Sequence, residues 1–221
     1  RRAGEGRAVA GGGENEAAYG GGPGLREEVG AGGLTRGVAP NGRNINEGCG
    51  SLYREKVSEK VNEVRADVGI ALEGDADRVV LIDEKGAILD GDQLLAICAE
   101  DMVERDVLRG GQVVATVMSN LGLERALQEL GVGLLRTQVG DRYVVDAMRE
   151  GGFNLGGEQS GHVIFLDHNT SGDGLITALQ VLAVMRRQGG QLSELTTVFA
   201  PYPQTHVNGP VTEKEPITYL P

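Results

Sequence analysis

From Glu55 onward the apolar positions fall into two alternating periods. Val57, Val61 and Val64 stand three or four residues apart, which places them on one face of a helix over 55–64. Val68–Leu72 is an uninterrupted apolar run, as expected of a strand covered on both faces. Apolar runs at 79–82 and 87–89 flank Asp83, Glu84, Lys85 and Gly86, predicting a β-hairpin with Gly86 in its turn. Asp92 is placed to cap a helix reaching Val107, whose apolar side is Leu94, Leu95, Ile97, Cys98, Met102 and Val103. The same reading gives strands over 112–118, 132–138 and 162–166 and helices over 122–130, 141–150, 173–187 and 192–199. Strands alternating with helices through short connections predict an α/β fold of mixed, mostly parallel sheets flanked by helices.

The first 50 residues break this pattern. Ala8, Val9 and Ala10 can open a strand and 25–29 a helical turn, but Gly11–Gly13 and the glycine-rich stretch 20–24 lie between them. Of 36 glycines, 16 fall in this segment, where each raises the entropy cost of ordering and adds nothing to a core. An irregular, loosely ordered stretch is the expectation for 1–38, with 90–200 as the rigid, independently folding part. Beyond Pro201, prolines at 203, 210, 216 and 221 predict a tail or hinge.

Charge and composition narrow the function. The chain of 221 residues has 32 Asp plus Glu against 21 Lys plus Arg, a formal net charge of -11. That balance argues against nucleic acid, which needs a basic face, while leaving room for an anionic small molecule at one local basic site. No run approaches the roughly 18 apolar residues that span a bilayer, and the basic N-terminus has no apolar stretch behind it. Two cysteines, Cys49 and Cys98, make no disulfide framework, so a reduced, cytoplasmic setting is expected.

Three loops offer chemistry. Glu73, Asp75 and Asp77 alternate with Gly74 and Ala76 directly after an apolar strand, followed by Arg78. Carboxylates this close raise one another's pKa unless a cation or water disperses the charge. An all-oxygen set without His or Cys suits Mg²⁺ before Zn²⁺, while the alternative is a solvated acidic turn. Gly156, Gly157, Glu158, Gln159, Ser160, Gly161 and His162 form a tight polar loop; its carboxylate, hydroxyl and imidazole suit sugar hydroxyls. It lacks the glycine two before the serine that a nucleophile elbow requires, and it also reads as an ordinary polar turn. In the third loop, Asp141 and Arg142 open a helix where Asp141 can cap and Arg142 can meet an anion. Neither a P-loop nor a complete G-x-G-x-x-G is present, so nucleotide binding has little support.

Taken in order, these loops resemble the α-D-phosphohexomutase family. The likeness runs from Ala39, Pro40, Asn41, Gly42, Arg43 and Asn44 through the Met118–Ser119–Asn120–Leu121–Gly122 and Val139–Gly140–Asp141–Arg142–Tyr143 stretches to about Asn208. Gln159 inside the sugar loop favours the branch that interconverts glucosamine 6-phosphate and glucosamine 1-phosphate over the phosphomannomutase and phosphoglucomutase branches. The resemblance implies phosphohexomutase-like repeated domains. Residues 1–89 would be the family's second domain, 90–205 its third, and 206–221 a hinge toward a fourth. It further implies Mg²⁺ on Glu73, Asp75 and Asp77, phosphoryl neutralisation by the catalytic Arg78, and a phosphorylated amino sugar held by Glu158, Ser160, His162, Asp141 and Arg142. Glu73 stands where the family carries Asp. The first domain's phosphoserine loop and the fourth domain's phosphate loop have no counterpart here, so the chain by itself is expected to be inactive. A non-catalytic sugar-phosphate or Mg²⁺-binding module is the competing reading.

Overall fold

The computed structural model of the chain describes residues 7–11 and 32–36, Ala39, Asn41 and residues 43–205. Among these, strands β1 (Arg7–Gly11), β2 (Gly32–Arg36), β3 (Val68–Leu72), β4 (Val79–Asp83) and β5 (Ile88–Leu89) form one sheet in the order β2-β1-β3-β4-β5. Strands β6 (Gln112–Thr116), β7 (Gly133–Thr137), β8 (Leu155–Gly157) and β9 (Val163–Phe165) form a second in the order β7-β6-β8-β9. β1 runs parallel to β2 and β3, and β6 parallel to β7 and β8, whereas β3–β4, β4–β5 and β8–β9 are antiparallel. The expected mixed α/β architecture is present.

In the N-terminal stretch, β1 falls where Ala8, Val9 and Ala10 predict a strand, whereas β2 has no counterpart in the sequence reading. Two of its segments are strands, and β1 pairs in register with β3, Ala8 opposite Val68 and Gly11 opposite Ala71. Backbone ladders need no side-chain packing of their own, so a glycine-rich segment can still join a sheet that a stronger strand templates. The helical turn expected over 25–29 and the tail from 206 lie outside the described residues.

The helices are α1 (Arg54–Val64), α2 (Gly91–Glu104), α3 (Leu121–Glu129), α4 (Asp141–Gly151), α5 (Gly174–Gln188) and the short α6 (Leu192–Leu195). Their boundaries follow local chemistry. Asp90, rather than Asp92, caps α2: its carboxylate accepts from Gln93 N while the Gln93 side chain accepts from Asp90 N, a reciprocal capping box. α2 stops three residues short of Val107 because Asp106 takes a left-handed φ of 56° and both Val107 and Leu108 amides turn back to the Met102 carbonyl. Asp173 caps α5, accepting from Leu175 N and Ile176 N at 2.9 Å each.

Side-chain alternation along the strands sets the layers. On β4, Val79 and Leu81 face the main core while Val80 and Ile82 face α1, which brings Val57 and Val61. On β6, Val113 and Ala115 face the main core while Val114 meets Val144, Val145 and Met148 of α4. α2, α3 and α5 fill the space between the two sheets in one continuous apolar cluster. The order is therefore α1, first sheet, α2 with α3 and α5, second sheet, α4. Residues 90–200 consequently do not own a separate core: Val68, Leu72, Val79, Leu81 and Leu89 belong to it too. Among the described residues no helix is long and apolar enough to cross a membrane.

Candidate functional site

The acidic loop links β3 to β4. Glu73 N donates to the Arg78 carbonyl at 3.1 Å and Ala76 N to the Glu73 carbonyl at 2.9 Å, closing a turn in which Ala76 takes φ 61°. A β-carbon in that conformation is unfavourable, and the loop is pinned from outside by Gly174 N, the first amide of α5, donating to the Ala76 carbonyl at 2.8 Å. One oxygen from each of Glu73, Asp75 and Asp77 lies within 4.8 Å of the others. Arg78 reaches back over them, Nη1 3.3 Å from Glu73 Oε2 and Nε 3.9 Å from Asp77 Oδ2.

The polar loop, between β8 and β9, closes on itself through Glu158 N to the His162 carbonyl and Gly161 N to the Glu158 carbonyl. It is stitched to its surroundings by Val79 N donating to the Gly161 carbonyl at 3.1 Å and Gly91 N to the Gln159 carbonyl at 3.0 Å. Gly161 is required here, since its φ is 95° and a β-carbon would run into the Val79 carbonyl. The two loops thus share a seam beginning one residue after Arg78. Across it, His162 Nδ1 sits 3.0 Å from Asp77 Oδ2.

Above the seam is a cleft of about 560 Å³ lined by Arg54, Arg78, Asp90, Thr116, Met118, Val139, Glu158, Gln159 and Ser160. Of the residues expected from sequence, Arg78, Glu158 and Ser160 line it, and the three carboxylates cluster at its Arg78 edge. His162 is buried beneath the loop and outside the cleft lining. Asp141 and Arg142 are exposed at the start of α4, where Asp141 accepts from Arg142 N and Arg142 leans toward Asp146. Their loop touches the site through its backbone: Gly140 N donates to Glu158 Oε1 at 3.1 Å, which fixes that carboxylate.

The carboxylates fit a hard cation. Burial raises the pKa of Asp77, the neighbouring Asp75 raises it further, and His162 and Arg78 oppose the rise. Asp77 Oδ1 is buried without a hydrogen-bond donor. A cation there would relieve both strains, and Glu73, Asp75 and Asp77 would supply the oxygen donors a hard cation such as Mg²⁺ prefers.

Comparison with known proteins identifies the family. Residues 90–202 match the profile of phosphoglucomutase/phosphomannomutase, alpha/beta/alpha domain III, just over half the chain. The chain belongs to that family. Phosphoglucosamine mutase from Geotalea uraniireducens is 58% identical over 199 residues, covering 90% of this chain and 44% of that relative. Its counterpart from Myxococcus xanthus is 55% identical, covering 90% and 43%. The chain therefore spans less than half the length of these curated relatives. A phosphoglucomutase/phosphomannomutase family protein from Burkholderia thailandensis superposes with a TM-score of 0.76 at 25% identity, over 89% of this chain and 43% of that one. The Aspergillus fumigatus N-acetylphosphoglucosamine mutase, in complex with GlcNAc-6P and magnesium, shares the fold at a TM-score of 0.67 and 20% identity, over 90% and 50%.

In this family member the cleft also holds groups that no sequence motif announced. Arg54, at the start of α1, adds a second guanidinium to the wall. Asp90 lies on the lining with its pKa raised by burial, opposed by the Gln93 amide, the Gln159 side chain and Arg54. Each comes from a segment remote from the loops, so only folding brings it in.

Proposed function

We propose that this chain carries the cation- and sugar-recognition portion of a phosphoglucosamine mutase, an intramolecular phosphotransferase exchanging glucosamine 6-phosphate with glucosamine 1-phosphate. The observation that supports it is the convergence on one cleft of Arg78 and the Glu158–Ser160 loop, with the three carboxylates at the Arg78 edge. Glu73, Asp75 and Asp77 hold Mg²⁺, which when bound offsets the negative charge of the phosphoryl oxygens. Arg78 lines the cleft with its guanidinium already anchored on Glu73, so it donates to a phosphoryl oxygen with little reorganisation. Glu158, oriented by the Gly140 amide, accepts from a sugar hydroxyl, and the Ser160 hydroxyl donates to or accepts from the next. Arg54 provides positive charge on the same wall for a second anionic group of the bisphosphorylated sugar. Residues 1–89 and 90–205 correspond to the second and third domains of the full enzyme, whose phosphoserine and final phosphate-binding domain come from other parts of the protein. The reaction runs in the cytoplasm.

The reading is checked by titrating the chain with glucosamine 6-phosphate in the presence of Mg²⁺, alongside mannose 6-phosphate. Saturable binding that favours the amino sugar is expected, weakened about tenfold or more in Arg78→Gln and in Glu158→Gln, each of which removes a charge-assisted hydrogen bond. Asp75→Asn is expected to weaken Mg²⁺ itself. Conversion of the 6-phosphate to the 1-phosphate by this chain alone, or sugar phosphate binding indifferent to both substitutions, would overturn the proposal.

A further inference from the structure

His162 has a hydrogen-bond arrangement that the sugar-loop reading does not use. The residue is 3% exposed. Gly172 N donates to its Nε2 at 3.2 Å, and only a nitrogen without hydrogen accepts such a bond. The proton of the neutral imidazole therefore sits on Nδ1, which points at Asp77 Oδ2 across 3.0 Å. The approach of the Gly172 backbone depends on its lacking a side chain, because a β-carbon there would overlap three atoms of the imidazole ring. Arg78 Nε lies nearest to the same oxygen, Oδ2, at 3.9 Å. The other oxygen of Asp77, Oδ1, is buried with no donor at all.

We infer that His162, held as the Nδ1–H tautomer by the Gly172 amide, occupies Oδ2 of Asp77 and so assigns Oδ1 as that residue's cation-facing oxygen. His162 is then a positioning residue for the cation site: it stops the carboxylate from rotating about its terminal bond and keeps it from spending both oxygens on neighbouring donors. A partner that orients a ligating side chain from behind typically changes metal affinity by about 10–100-fold when removed. The residue belongs to the polar loop while its target belongs to the acidic loop, so the same bond registers the two loops against each other.

The inference rests on the proposed Mg²⁺ site, and the test separates the two. Mg²⁺ is titrated by calorimetry into the parent chain, His162→Asn and His162→Gln. Asn places an N–H near the Nδ1 position, whereas Gln places its amide near Nε2. Asn is expected to bind within about threefold of the parent and Gln about tenfold more weakly or worse. Equal affinities in the parent, Asn and Gln chains overturn the inference and leave the cation site standing. No binding by the parent removes the cation site and the inference with it. Because a buried substitution can impair folding, the tautomer is also read directly in the unsubstituted chain. It has three histidines, His162, His168 and His206, and ¹⁵N labelling of their rings distinguishes protonated from bare nitrogens. Nδ1–H at His162, retained on Mg²⁺ saturation, is expected; Nε2–H overturns the inference without any variant.

Discussion

A carboxylate shut away from water must find donors or surrender its charge. Asp92, fully buried in the first turn of α2, does part of each. Oδ2 accepts from Asn120 N at 2.7 Å, but Oδ1 has no donor, and burial pushes its pKa up to about 6. Asp90 adds to the rise, while the Asn120 amide, Ser119 and Arg136 oppose it. The folded chain thus keeps a proton that the unfolded chain, with its acid at about 3.8, has lost. Between about pH 4 and 6 this group makes stability fall as pH rises, by up to about 3 kcal/mol. Asp92→Asn keeps an acceptor for Asn120 N and its NH₂ can donate to the Ser119 hydroxyl beside it. Thermal melts are expected to coincide near pH 4 and to separate above pH 6, with the variant several degrees higher. Equal melting temperatures at pH 8 would show that the buried charge costs nothing. Sequence pattern places Asp92 at the cap but does not say whether its carboxylate turns to the helix amides or into the core. The acidic triad was legible because its carboxylates alternate within five residues. Arg54, Asp90 and Thr116 were not, since no local spacing relates them.

At the scale of elements, α5 shows how one cap serves both stability and site. Asp173 satisfies the Leu175 and Ile176 amides, and its carbonyl accepts from Thr177 Oγ1 at 2.7 Å. The next amide, Gly174 N, is left free to hold the Ala76 carbonyl in the acidic loop. Asp173→Ala is expected to cost about 1 kcal/mol, lowering the melting temperature by about 2–4 °C, with Asp173→Ser recovering most of it. An unchanged melting temperature in the Ala variant would mean that water replaces the cap. Helices such as α4 and α5 were readable because their apolar faces repeat at the helical period and glycines at 152 and 189 end them with left-handed φ of 69° and 70°. The sequence places the polar loop between two strands but gives the first of them, β8, no range. Leu155, Gly156 and Gly157 carry no β-branched residue, and the strand exists because β6 and β9 pair with it. The same reason hid β2, a strand of Gly32, Gly33, Leu34, Thr35 and Arg36 that β1 recruits by backbone pairing.

For the molecule as a whole, the sequence unit and the folding unit differ. The family profile covers 90–202, and apolar periodicity alone marks nearly the same span as self-sufficient. Yet the faces of α2 and α5 that meet the second sheet's helices also bury Val68, Leu72, Val79, Leu81 and Leu89 of the first. Ser193 adds a polar clasp, its hydroxyl and amide both donating to the Glu84 carboxylate in the turn of the β4–β5 hairpin. His162 to Asp77 and Val79 N to Gly161 add two more bonds across the same boundary. Burying each large apolar side chain is worth about 1.5–3 kcal/mol, so losing the five covering residues removes on the order of 10 kcal/mol. That is comparable to the whole stability of an ordinary domain, about 5–15 kcal/mol. A polypeptide of residues 90–205 alone is therefore expected to retain helical circular dichroism but to bind a hydrophobic dye and melt without a sharp transition. The full chain should melt cooperatively, and proteases should cut the shorter polypeptide within α2 and α5, whose apolar faces are left uncovered. A sharp transition for 90–205 at the temperature of the full chain would mean that the second sheet and its helices close their own core, and that the contacts with β3, β4 and β5 are docking between finished units.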